Sequence, residues 1–271
     1  TCYTVKKQQK AVIKMDGFTV VFLGTCACDF SPRLQTDCKD RFDKDVRRSS
    51  SILIAGHILV DCGPHTLNSL EIIKKPLREI TDIFLTHLHS DHFDAANIQK
   101  TAKAKGEKLR LWVRADACMP QFENVELIRM ETGREYAAGD GIAVTSLEAN
   151  HTDFPQHFIF EKAGKKIFYG LDGAWVLNES FRKMRGRHFD LLILDCTMGD
   201  YDGDLRISEH NSVPMVRMLL KSFATVGITG QNSRVYLSHL APSLHSPHAE
   251  TEKICAQFGA HVAYDGLALK V

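Results

Sequence analysis

The sequence predicts an α/β fold, a single domain over residues 1–271 in which two packed β-sheets are covered by helices and each half of the chain supplies one sheet. Three observations predict it. Short runs rich in Val, Ile, Leu and Phe recur along the chain and read as buried strands. Segments with helical spacing alternate with them. No low-complexity linker separates the two halves.

Residues 18–24 form the first strand, ending at Gly24, and residues 51–55 and 57–63 flank Gly56 as a hairpin. Helical spacing over residues 66–75 stops at Pro76, which lacks the N–H a helix needs. A buried strand at 80–85 and a helix at 93–105 follow, then strands at 109–113, 125–128 and 142–147. Residues 158–161 and 166–169 pair around Gly164. A helix follows Ala174, then a strand at 190–195 and a helix opening near Glu209 and running to about Ala224. A strand at 234–238, a helix at 246–258 and a strand at 267–271 close the order.

Composition excludes some partners. The chain is 44% hydrophobic and 25% charged, as globular proteins are, and its formal net charge of +1 creates no long-range field for nucleic acid or an anionic membrane. A small phosphorylated substrate needs only local positive charge. Lys6, Lys7, Gln8, Gln9 and Lys10 interrupt any apolar leader, and no run approaches the roughly 20 apolar residues of a membrane span. Eight cysteines without a secretory signal read as reduced thiols, so a cytoplasmic location is expected.

The chemistry concentrates in Thr86-His87-Leu88-His89-Ser90-Asp91-His92, between a strand and a helix. Three imidazoles and a carboxylate within six residues crowd one another unless a cation accepts their lone pairs. This His-x-His-x-Asp-His pattern resembles the signature of the metallo-β-lactamase superfamily. The resemblance implies a four-layer αββα sandwich and three later ligands in fixed order, each just after a strand. His151, Asp172 and His239 follow the strands at 142–147, 166–169 and 234–238.

By that resemblance His87, His89 and His151 hold one divalent ion, Asp91, His92 and His239 hold a second, and Asp172 bridges them. Asp61 resembles the early aspartate that supports the histidine loop, although a carboxylate before Gly63 also reads as a turn residue. Nitrogen and oxygen donors without thiolate suit zinc or manganese, with iron left open. Two such ions, about 3.5–4 Å apart, would share a hydroxide whose pKa falls towards ~7.

The superfamily cuts lactams, lactones, thioesters and phosphodiesters. Finer matches are spread along the chain: Leu23-Gly24-Thr25, Arg47-Arg48-Ser49-Ser50-Ser51, Asn150-His151, Leu194-Asp195-Cys196, Glu209-His210-Asn211 and Tyr264-Asp265-Gly266. They resemble the phosphodiesterases of phosphonate breakdown, which open a ribosyl cyclic phosphate. The implied substrate is a small cyclic or nucleotide-like phosphodiester, with no membrane partner, no long nucleic acid and a homodimer left open. His210 and Asp91 are the candidate catalytic residues. His210, expected at a helix start, would protonate the leaving oxygen, and a first-turn surface histidine is the plainer alternative. Arg47 and Arg48 would either contact phosphate or solvate the start of a strand.

One departure stands out. Those relatives carry a Cys-x-Cys-x-x-Cys loop that holds a structural zinc with a later histidine. Here Cys26 and Cys28 are followed by Ser31, the next thiol is Cys38, and the later position is Pro242. Ordinary thiols are expected, with a rearranged site using His245 or His248 as the alternative. His57, His65, His157, His188 and His261 have no identifiable partner in the sequence and read as structural or surface residues. Competing functions are lactone or thioester hydrolysis, tRNA processing, a mononuclear iron oxidoreductase and a silent binding protein. The last two are disfavoured because no ligand is missing.

Overall fold

The computed structural model describes residues 17–153 and 155–271; positions 6–10, on which the leader reading rests, lie outside them. Strands β1 (Thr19–Gly24), β2 (Ser51–Ile54), β3 (Ile58–Val60), β4 (Asp82–Phe84), β5 (Leu109–Arg114) and β6 (Val125–Met130) belong to one sheet. Strands β7 (Glu135–Ala137), β8 (Ala143–Glu148), β9 (Gln156–Lys162), β10 (Lys165–Gly170), β11 (Leu191–Asp195), β12 (Arg234–Ser238) and β13 (His261–Val262) form the other. The last strand, β14 (Ala268–Lys270), returns to the first sheet. The orders among the described residues are β14-β1-β2-β3-β4-β5-β6 and β13-β12-β11-β10-β9-β8-β7.

One sheet per half therefore holds for the described strands except the last. The strand expected at 142–147 lies past the midpoint of the chain and joins the second sheet, where β8 pairs antiparallel with β9 from Ala143↔Glu161 to Glu148↔Gln156. The exception is β14, which pairs with β1 at Thr19↔Lys270 and covers an edge that would otherwise be open.

Side-chain alternation sorts the layers. Along β10, Ile167 and Tyr169 face the other sheet while Phe168 faces the helices; along β11, Leu191 and Ile193 face inward and Leu192 and Leu194 outward. Between the sheets, Phe84 stacks on Trp112 with ring centroids 4.9 Å apart and meets Phe158 and Phe160 edge-on at 5.6 and 5.5 Å.

Helices α1 (Thr66–Ile72) and α2 (Ala95–Lys105) cover the first sheet through Leu70, Ile98 and Ala102. Helices α3 (Asn178–Met184), α4 (Val213–Thr225) and α5 (His248–Ala256) cover the second through Met184, Val216, Phe223 and Cys255. The result is the four-layer αββα arrangement. Strands β3, β4 and β5 run parallel, as do β10, β11 and β12. Each set therefore brings its carboxyl ends to one rim, where α/β sheets place their ligands.

Candidate metal centre

The loop leaving β4 is pinned before it reaches α2. The Cys62 amide donates to the His92 carbonyl at 2.8 Å, and the Asp94 amide to the Cys62 carbonyl at 2.8 Å. Asp94 caps α2 by accepting from the Asn97 amide at 3.0 Å. Gly63 makes the close approach feasible, since a Cβ there would lie 1.9 Å from the Asp91 carbonyl oxygen. Asp61, Asp172 and His239, just beyond β3, β10 and β12, are left-handed with φ of 62°, 53° and 57°. Aspartate and histidine tolerate that region better than bulkier residues, and it turns each chain abruptly at the rim.

Every predicted ligand arrives at this rim. Donor atoms of His87, His89, His151 and Asp172 lie within 4.8 Å of one another, and so do those of Asp91, His92, Asp172 and His239. Asp172 is common to both groups. Its Oδ2 lies 3.1 Å from His87 Nε2, 3.1 Å from His92 Nε2 and 3.9 Å from His151 Nε2, while its Oδ1 lies 2.8 Å from His239 Nε2. Asp91 Oδ2 stands 3.3 Å from His239 Nε2 and 3.4 Å from His92 Nε2.

The outward nitrogens fix the tautomers. His92 Nδ1 donates to Asp61 Oδ2 at 2.8 Å, and Asp61 Oδ1 accepts from the Thr86 amide and hydroxyl at 2.8 and 2.9 Å. His87 Nδ1 donates to Thr86 Oγ1 at 3.0 Å, and His151 Nδ1 to the Glu209 carbonyl at 3.2 Å. His239 Nδ1 donates to Thr197 Oγ1 at 2.7 Å. His89 is reversed: its Nε2 meets Asp153 Oδ2 at 2.9 Å, and its Nδ1 lies 3.4 Å from His151 Nε2.

The inward nitrogens are thus turned on one another, and the Nε2 atoms of His92 and His239 are 3.2 Å apart. Buried His87 Nε2 and Asp172 Oδ1 make no hydrogen bond. Such a donor set fits divalent cations, which replace the missing protons.

The electrostatics of the cluster divide: one ring is left neutral, and two are pressed to hold a proton that a cation would replace. Burial pushes His87 down to about 4, so its ring is neutral with a lone pair to give. Burial also disfavours charge on His92 and His239, but the Asp172 carboxylate outweighs it and raises both well above the usual histidine range. Asp172, despite burial, is held well below the carboxylate range by His239 and His92.

His210 is at the same rim, with its ring centroid 4.7 Å from that of His151 and 5.5 Å from that of His239. It does not begin a helix. Helix α4 starts at Val213, where Ser212 caps the Met215 amide and Pro214 occupies the first turn, so the expected helix-end field on His210 is corrected to a carboxylate. That carboxylate is Asp195, fully buried at the end of β11, with Oδ2 3.0 Å from His210 Nδ1 and 3.4 Å from His239 Nδ1. Burial would lower His210, but the Asp195 charge and hydrogen bond raise it.

Asp195 and Thr197 were not singled out from the sequence as site residues. The strand-end pattern that flagged His151, Asp172 and His239 also covers Asp195. His157, at the other extreme, is buried with neither ring nitrogen hydrogen-bonded, and burial holds it down to about 4.

Arg47 and Arg48 are neither surface residues nor part of the cleft. Arg47 donates to Thr25 Oγ1 at 2.7 Å and the Ala263 carbonyl at 2.6 Å, and the Arg48 amide donates to Asp265 Oδ2 at 2.8 Å. Cys26 is buried with Sγ 3.8 Å from Asp29 Oδ1, Cys38 packs with Leu34 and Val46, and Cys28 is exposed. His245 Nε2 donates to the Cys196 carbonyl at 2.7 Å, and His248 lies beside Arg47. Among the described residues, the converging donor groups contain no thiol.

The cleft above the cluster has a volume of about 300 Å3, with Cys28, Asp29, Arg206 and His210 among its walls. No helix among the described residues is long and apolar enough to cross a membrane.

Comparisons place this geometry in a known group. A family model described as a β-lactamase superfamily domain matches residues 57–240. A search of curated proteins by sequence finds no match. Among solved structures, the chain is similar to the metallo-β-lactamase-fold protein YhfI of Bacillus subtilis, with a TM-score of 0.76 and 18% identity over 94% of this chain and 100% of that one. It is similar to a diphosphatase of the PhnP family, with a TM-score of 0.72 and 18% identity over 94% and 97%. The short form of human tRNase Z gives a TM-score of 0.65 and 19% identity over 93% and 98%. With more than half of its length matched by the family model and two helix-covered sheets converging on a His/Asp cluster, the chain belongs to the β-lactamase superfamily and has the metallo-β-lactamase fold.

Proposed function

We propose that this protein is a dinuclear metal-dependent hydrolase that cleaves a small cyclic or nucleotide-like phosphodiester. The observation that carries the reading is the pair of four-donor groups sharing Asp172, with the second nitrogen of His92 and of His239 turned inward by the partner of the outward one. His87, His89, His151 and Asp172 would hold one ion, and Asp91, His92, His239 and Asp172 the other. Zinc or manganese suits these donors, with iron left open. Bound there, such ions supply Lewis-acid polarisation of a phosphoryl oxygen and acidify a water at neutral pH.

The remaining tasks fall to the chain itself. Asp61 holds the ring of His92 from one sheet, and Thr197, itself bonded to Asp195, holds the ring of His239 from the other. His210, raised by its contact with Asp195 against the effect of burial, would offer its other nitrogen as the donor to the leaving oxygen. A cleft of about 300 Å3 suits a small substrate rather than a long nucleic acid. Structural neighbours named as a diphosphatase and a tRNase Z support phosphoester chemistry over the acyl alternatives.

The test is metal analysis of the loaded protein beside turnover of p-nitrophenyl phosphodiesters, lactones and thioesters. Two ions per chain with diester turnover is expected. Asp172→Asn should weaken metal binding and abolish hydrolysis while the fold is retained. Acyl turnover without diester turnover would refute the substrate class, and unchanged activity of Asp172→Asn would refute the bridging role.

A further inference from the structure

A second cavity adjoins the cleft. It has a volume of about 390 Å3 and opens between the loops that leave the neighbouring parallel strands β4 and β5. That is within the range of small-molecule sites, about 300–1,000 Å3. Its inner wall is His87 and His89, and its apolar lining is Leu85, Leu88, Val113 and Ala117. His89 also lines the cleft, so the same ring borders both spaces.

The outer loop is held in place. Arg129 Nη1, reaching from β6, donates to the Ala115 and Ala117 carbonyls at 2.7 and 2.9 Å, and the Ala115 amide donates to the Met130 carbonyl at 2.9 Å. The cavity is therefore preformed. At its rim Arg114 Nε is paired with Asp116 Oδ1 at 2.8 Å, and Asp153 stands on the opposite bank.

We infer that this crevice binds the organic group carried by the scissile phosphate, and that the group is an uncharged, flat heteroaromatic ring of nucleobase type. The inference rests on the phosphodiester reading above. The apolar residues take the ring faces, while Asp116, Asp153 and the paired Arg114 offer acceptors and a donor to its edge. A second phosphate is disfavoured, because two carboxylates face a single cation there.

Two exposed thiols make the test direct. Cys118 lines the crevice and Cys28 lines the cleft. The metal-loaded protein is alkylated with iodoacetamide, alone or with inorganic phosphate or thymidine 5′-monophosphate, and the label is mapped by mass spectrometry. Inorganic phosphate should slow labelling of Cys28 only, whereas the nucleotide should slow both, Cys118 by on the order of tenfold.

Protection of Cys28 by the nucleotide with no change at Cys118 would overturn the inference and leave the phosphodiester reading intact. Absence of protection at both thiols would remove that reading and this inference with it. As a second measurement, Ala117→Trp fills the crevice. It should bring the ratio of kcat/KM for p-nitrophenyl thymidine 5′-phosphate over methyl p-nitrophenyl phosphate from roughly tenfold or more down towards one. An unchanged ratio in the folded variant would overturn the inference.

Discussion

Replacement of Asp61 by Asn tests whether the metal centre depends on an imposed tautomer. Asp61 is fully buried and accepts four hydrogen bonds: the Thr86 amide and hydroxyl on Oδ1, and His92 Nδ1 and the Tyr169 hydroxyl on Oδ2 at 2.8 and 3.2 Å. An asparagine oxygen can serve Thr86, but its NH2 group then faces the two remaining donors. Once Tyr169 and His92 turn to accept from that NH2, two bonds to a charged acceptor, about 1.5–3 kcal/mol each, become neutral ones of about 0.5–1.5 kcal/mol. Removing a buried charge returns part of the difference, for a net loss of about 1–2 kcal/mol.

The functional effect is sharper. His92 relieves the N–H to NH2 conflict by moving its proton to Nε2, the nitrogen that faces Asp172 Oδ2 at 3.1 Å and His239 Nε2 at 3.2 Å. A protonated Nε2 cannot ligate, so affinity at the Asp91/His92/His239 group should fall by about 10–100-fold while the His87/His89/His151 group is less affected. Urea unfolding reads the stability change, competitive metal titration reads the affinity, and long-range 1H–15N correlation of the zinc form reads the tautomer. Two full-affinity ions with His92 Nδ1 still protonated would refute the reasoning.

Three further outcomes follow from the same structure. Gly63→Ala places a Cβ 1.9 Å from the Asp91 carbonyl oxygen, so the backbone must shift. Stability should fall by about 1–3 kcal/mol with a clear loss of metal stoichiometry, and unaltered metal content would show that the loop yields freely. His210→Ala should lower kcat greatly for diesters with poor leaving groups and less for p-nitrophenol; equal losses would exclude the proton-donor role. Glu252 accepts from His261 Nδ1 at 2.8 Å and the Val262 amide at 2.6 Å; burial would raise its carboxyl, but these partners hold it below its usual 4.5. Stability from a depressed carboxylate is present above 4.5 and lost as pH falls through the folded value. Glu252→Gln should therefore cost about 0.5–1 kcal/mol at pH 7, discounted for solvent screening, with the difference from the parent protein shrinking below pH 4.5 in urea melts. A difference independent of pH would exclude this linkage.

Much of the site was legible because its largest part is local. His87, His89, Asp91 and His92 lie on one short loop, so their convergence needs no knowledge of the rest of the chain. His151, Asp172 and His239 were legible as polar residues just past apolar strands. The start of α4 was misplaced because helical spacing around Glu209 outweighed the Ser212 and Pro214 signals. Asp195 went unassigned although it ends an apolar strand as the ligands' neighbours do, because its role comes from which rings lie opposite it.

By itself the sequence determined the donor types, their order and the strand ends that bear them, because side-chain chemistry and apolar periodicity are local properties. Only the tertiary structure decided that Asp172 serves both donor groups, and that His92 and His239, 147 residues apart, face each other at 3.2 Å. It also decided which carboxylate holds which ring and that a crevice lies behind His89. The reason is physical: distances between strand ends are set by sheet order and by how the two sheets pack, and both depend on the whole chain at once.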